Sequence, residues 1–155
     1  MTKRIENAVL SIHSTQEADS ETDISDLNTT AFFKKKSDHF EIAYRELDES
    51  GDTVGETVIT VLSEHLVTIH KTGFAEAVMV LEPGRTHPVR YKTMLGSMEM
   101  MLCTTLIAAD LTEKGGTLRL RYMLDVGETY SAVNTIDLNV SLLDTNRSGG
   151  KTTRI

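Results

Sequence analysis

Tryptophan is absent from this chain, cysteine and proline number only one and two, and 5% of residues are aromatic. Each shortage excludes something. The single cysteine, Cys103, rules out an internal disulfide and suits a reducing compartment. It sits inside an apolar alternating stretch, so it reads as a buried, inert thiol rather than a nucleophile. With so few aromatics, core filling falls to Val, Ile, Leu and seven Met, the last able to fit irregular gaps. No apolar run approaches the roughly 20 residues of a membrane span. The start runs into alternating Ala8-Val9-Leu10-Ser11-Ile12 rather than the unbroken apolar block of a secretory signal. A cytoplasmic protein with no membrane partner is expected. Basic charge is also short: 16 Lys and Arg against 23 Asp and Glu leave a net charge of -7, so no basic surplus is available to neutralise phosphates and no nucleic-acid partner is expected.

What the chain does have is period-2 alternation. In 117–126, Leu118, Leu120, Tyr122, Leu124 and Val126 fall on one face of an extended strand, and Thr117, Arg119, Arg121 and Asp125 on the other. Further strands are predicted over 8–15, 28–35, 39–47, 56–62, 66–71, 75–82, 88–93, 98–107 and 131–143. The acidic, Ser- and Thr-rich stretch 16–26 reads as a solvated loop, 110–116 as a polar loop closed by Gly115-Gly116, and 144–155 as a frayed tail. Segment 98–107 is apolar on both faces. Met98, Met100, Leu102, Thr104 and Leu106 share one, while Met101, Cys103 and Ile107 lie on the other, so a partner subunit could cover its outer side.

About ten strand candidates on short turns, with no amphipathic helix, predict an all-β fold. One domain over 1–155 is expected, with its core over 8–143, as an up-and-down antiparallel barrel of about 8 to 10 strands; a two-sheet sandwich is the runner-up. Closure removes the edges that so many strands would otherwise expose.

The sequence nominates no catalytic residue, metal set or cofactor, and a non-enzymatic role is the reading it favours. One constellation remains. If the strands alternate direction strictly, those ending at Leu47, Lys71 and Thr93 finish at the same end of the barrel. Glu46, Lys71 and Thr93 then converge on otherwise apolar inner faces, with Tyr44 and Tyr91 one layer deeper and Tyr122 able to join them. Two readings stand. Glu46 and Lys71 can pair and seal the barrel end, as buried charges generally do; or the six residues can be the polar handles of a ligand cavity with apolar walls.

Several stretches carry a family resemblance: Tyr44-Arg45-Glu46, Thr72-Gly73, Tyr91-Lys92-Thr93-Met94-Leu95-Gly96, Thr104 eight positions after that glycine, and Gly116 leading to Tyr122. By their ordered spacing over roughly 8–143, the chain resembles the YwiB-like bacterial family of calycin-type β-barrels. The resemblance implies a lipocalin-like meander barrel and points to no particular activity. This chain departs from the family in having Lys71 where arginine is usual, which removes any bidentate fork at that position. The leading expectation is a barrel that takes a small apolar or amphipathic ligand inside. The rival is a filled barrel acting as an interaction module or homo-oligomer.

Overall fold

A computed structural model of the protein describes residues 4–143; the expected tail at 144–155 lies outside them. The described chain forms ten strands: β1 (Ala8–Ala18), β2 (Glu21–Lys35), β3 (Phe40–Leu47), β4 (Thr53–Ser63), β5 (Leu66–Gly73), β6 (Ala75–Leu81), β7 (Thr86–Thr93), β8 (Gly96–Thr112), β9 (Gly115–Val126) and β10 (Tyr130–Leu142). Each is antiparallel to its sequence neighbours, and β1 pairs with β10 to close an up-and-down barrel. No helix among the described residues is long and apolar enough to cross a membrane.

The alternation read from the sequence is the in-and-out alternation of the barrel wall. Inward residues meet across strands in rows: Leu138 opposes Ile12 and Leu118, while Ile59 opposes Ile42 and Ile69. Phe33, Ile42, Leu81, Leu102, Leu118, Leu120 and Leu138 are fully buried and fill the barrel's middle and lower part, each contributing about 1.5–3 kcal/mol of transfer free energy. Methionine contributes less to this filling than composition suggests. Among the described methionines Met79 alone is buried, Met100 packs against the core from its edge, and Met94 is 96% exposed on a turn.

Two expected loops are strands instead. The β1–β2 hairpin continues through the acidic stretch to a turn at Asp19 and Ser20, whose positive φ values of 50° and 67° match the right-handed twist of the flanking strands. Backbone pairing there does not need apolar side chains, and the polar residues are simply exposed. In the same way β8 runs to Thr112 and β9 starts at Gly115, which leaves only Glu113-Lys114 as the turn.

A third difference lies within β8. Its register slips between Thr104 and Leu106, so Thr105 is an extra residue on that strand. Beyond the bulge the faces exchange. Ile107, expected outside, is buried in the core, and Leu106, expected inside, is 38% exposed.

The residues before β1 act as a strap. Asn7 presents its side-chain amide to Phe33 as a peptide would, accepting from the Phe33 N–H at 2.8 Å and donating to the Phe33 carbonyl at 2.9 Å. This satisfies β2 where it leaves β1 and takes up β3. Arg4 then reaches Glu41 at 2.7 Å, and Lys36 reaches the other Glu41 oxygen at 2.8 Å. Burial pushes the Glu41 carboxyl up, but hydrogen bonds from Lys36 and Arg4 outweigh it and hold the group below the usual carboxylate range.

Candidate functional site

Strict alternation brings the C-terminal ends of β3, β5 and β7 to one end of the barrel. Tyr44, Thr57 and Lys71 are directly opposed across β3, β4 and β5, and Glu46 stands two residues nearer the rim than Tyr44. The Lys71 ammonium donates to Glu46 Oε2 at 3.3 Å and to Thr57 Oγ1 at 3.2 Å. The pair is sheltered rather than sealed, with 26% and 27% of the side chains exposed. Gly55 faces Glu46, and a side chain there would press on the Thr72 carbonyl, so the small residue keeps space at the rim.

Tyr44 lies beneath this pair. Burial raises its pKa, a hydrogen bond with Thr57 works the other way, and the Glu46 charge adds to the rise. Tyr122 is pushed up to about 12, chiefly by burial and further by its closeness to Tyr44, so the tyrosines of β3 and β9 approach each other across the interior. Both stay protonated at neutral pH.

Tyr91 is on the inner face of β7 and packs against the core edge. Among the described residues no hydrogen bond joins it to Glu46 or Lys71. Thr93 is drawn away by its turn: its hydroxyl donates to the Gly96 carbonyl at 3.3 Å and accepts from Leu95 N–H at 3.2 Å. Of the six expected residues, Glu46 and Lys71 meet directly, Tyr44 and Tyr122 lie below them, and Tyr91 and Thr93 stand apart on β7.

A second polar group shares this end of the barrel. Thr104, Tyr122, Asn134, Gln16 and Asp23 are successively opposed across β8, β9, β10, β1 and β2. On the β10–β1–β2 side a cavity of about 290 Å³ opens, lined by Ser14, Gln16, Asp23, Ser25, Tyr122 and Asn134 among others. That is room for about ten waters at roughly 30 Å³ each. Four of these side chains lie in the stretch expected to be a loop or next to it. Asn134 could have been found from the alternation of the last strand.

The burial of Tyr122 carries a prediction. An unfolded tyrosine loses its proton near pH 10 and this one near 12, so the folded state holds the proton more tightly. The resulting stability is complete below pH 10 and is lost as pH rises through about 12, amounting to about 2–3 kcal/mol. Urea unfolding of the protein and of Tyr122→Phe at pH 9 and pH 11.5 is expected to show the variant gaining on the wild type at the higher pH. An unchanged gap would mean that the hydroxyl is solvated.

Comparison with known proteins agrees with the architecture. Residues 10–138 match the family described as "Domain of unknown function (DUF1934)". The chain is 26% identical over 129 residues to "Uncharacterized beta-barrel protein YwiB" of Bacillus subtilis (strain 168), covering 83% of this chain and 89% of that relative. The crystal structure of the ywiB protein from Bacillus subtilis superposes with a TM-score of 0.78 at 22% identity, over 90% of this chain and 93% of that one, a likeness of fold. By its architecture and by a family match across most of its length, this chain belongs to the DUF1934 family of YwiB-like β-barrel proteins.

Proposed function

We propose that the protein binds a small amphipathic molecule at the polar end of its barrel, without catalysing a reaction on it. The observation that carries this reading is the Lys71–Glu46–Thr57 cluster, held on an otherwise apolar inner face at the same end as the cavity. Few convergent polar groups above an apolar floor is the usual make-up of a small-molecule site. Below that end the barrel is filled by its own side chains, so the ligand's apolar part rests on Tyr44, Tyr122 and Leu124 rather than reaching the barrel's far end. A reducing, cytoplasmic setting fits the lone Cys103.

The test is a titration of labelled protein with a small-molecule extract of its own host, followed by NMR. Saturable shifts at Tyr44, Thr57 and Lys71 are expected. Lys71→Met is expected to weaken the response about tenfold or more, since it removes the charge and leaves Glu46 without its partner. Full retention of the response in Lys71→Met would count against the reading.

Met101 and Leu106, 44% and 38% exposed on the outer face of β8, favour a second reading in which that face meets another copy of the chain. Sedimentation velocity at high concentration separates the two, because this reading requires a dimer that Met101→Lys dissociates.

A further inference from the structure

The ladder between β2 and β3 is short. It runs from Lys35↔Phe40 to Phe32↔Ala43 and stops, so from Glu21 to Thr30 β2 pairs with β1 alone. Alternate residues along that stretch point their N–H and C=O away from β1, where no strand among the described residues takes them up. Tyr44 to Leu47 of β3 are likewise paired only to β4. The side chains record the same gap. Leu27 opposes Ile12 on the inner face, yet it is 40% exposed against 9% for Ile12. Every residue from Glu21 to Asn28 is exposed, whichever face it takes.

Sheet edges are ordinarily blunted by shortness, proline, a bulge or lysine. This one runs from Glu21 to Thr30 with no proline and in unbroken register with β1. Its charge is of one sign. Between Ala8 and Phe33 the chain carries Glu17, Asp19, Glu21, Asp23 and Asp26 and no lysine or arginine. Asp26 meets His13 at 2.7 Å, whereas Glu21 and Asp23 have no ion-pair partner among the described residues. A second copy of the chain would bring the same acidic row and be repelled, while a cationic strand is attracted.

From the unpaired edge of β2 and its one-signed charge, we infer that Glu21–Thr30 takes up an extended basic peptide segment as an added antiparallel strand. The main chain of β2 supplies the hydrogen bonds, and its side chains set the specificity. Leu27 and Ile24 call for apolar neighbours on the added strand, Asp26 and Asp23 for basic ones, and Ser25 tolerates any residue. Because the new strand runs antiparallel, its order from the N-terminus is apolar, basic, any, apolar, basic. The inference is independent of the small-molecule reading, since it uses the backbone of β2 and not the Lys71–Glu46 pair.

The probe is an acetylated and amidated peptide, Thr-Val-Lys-Thr-Val-Lys-Thr, titrated into the ¹⁵N-labelled full chain. Saturable shifts are expected at the backbone amides from Thr22 to Asn28, with slowed hydrogen exchange at alternate ones. Replacing both peptide lysines by glutamate is expected to weaken binding at least about tenfold, and Asp23→Lys, a change at an exposed position, to weaken the lysine peptide by about tenfold. An added strand bonds to β2 through alternate residues only. N-methylation of one alternate set of peptide amides is therefore expected to abolish binding, and of the other set to leave it within about threefold. Equal binding of the lysine and glutamate peptides, indifference to both N-methylated sets, or no shift in β2 at roughly millimolar peptide would each overturn the inference. So would a dimer in which the β2 amides are already protected without peptide. Shifts confined to Tyr44, Thr57 and Lys71 would place the peptide in the mouth, which removes the added strand and leaves the small-molecule reading standing.

Discussion

Gly116→Ala is expected to destabilise the barrel by about 4 kcal/mol or more, and to leave much of the protein insoluble on expression. Gly116 has a φ of +144°, and a Cβ there would lie inside van der Waals contact of the Asp110 carbonyl oxygen. The atoms in the way belong to the backbone of β8, the strand paired to it, so relief requires the β8–β9 ladder itself to shift. Its neighbour Gly115, φ +123°, is crowded in the same manner by the Val140 carbonyl of β10. Three strands are brought together at these glycines, and the hairpin cannot be tightened elsewhere to compensate. Gly51 and Gly127 also have positive φ but meet nothing within 4 Å. Alanine at Gly51 therefore gives the cost of the backbone angle alone, about 1–2 kcal/mol, and urea midpoints for the two variants separate strain from clash. A Gly116→Ala protein as stable as Gly51→Ala would mean that β8 and β9 do not approach as closely as described.

The second large effect is an asymmetry within β8. Ile107→Ala is expected to cost about 2–4 kcal/mol, since its side chain is 8% exposed among Leu120 and the residues around it. Leu106→Ala, on the outer surface, should stay within about 1 kcal/mol of the wild type. A strict alternation counted from Met98 predicts the reverse order, so equilibrium unfolding of these two variants tests the bulge at Thr105 directly. Thr105 is held there by its hydroxyl, which donates to the Arg121 carbonyl at 3.1 Å. Nothing in the residue types around it announces that hydrogen bond in advance.

The same example explains how far the sequence could be followed. Alternation of apolar and polar residues identifies the inward face wherever that face is apolar, and it located Leu118, Leu120 and Tyr122 on β9 and Val67, Ile69 and Lys71 on β5 correctly. It gives no signal where both faces are polar. That is the case at the mouth, where Gln16, Asp23 and Ser25 line a cavity from strands that composition alone presents as a solvated loop. The Glu46–Lys71 contact was accessible because it depends only on strand direction and the inward parity of two clearly patterned strands. Thr57 was not, because β4 carries Val, Thr and Ile on both faces and only its register against Tyr44 and Lys71 reveals which side Thr57 occupies. Thr93 stands apart from the Glu46–Lys71 pair for a local reason: a threonine at a strand's last residue can hydrogen-bond its own turn, and here it does so with Leu95 and Gly96.

Under the proposed reading, the barrel's own side chains fill its depth and its polar mouth is left to a small molecule. Native mass spectrometry of the protein isolated from its host under gentle desolvation tests this most directly. One small molecule retained per chain, and lost from Lys71→Met, is the result predicted. A bare chain mass from protein that is fully folded and freshly isolated would contradict it, as would a retained molecule that Lys71→Met does not disturb.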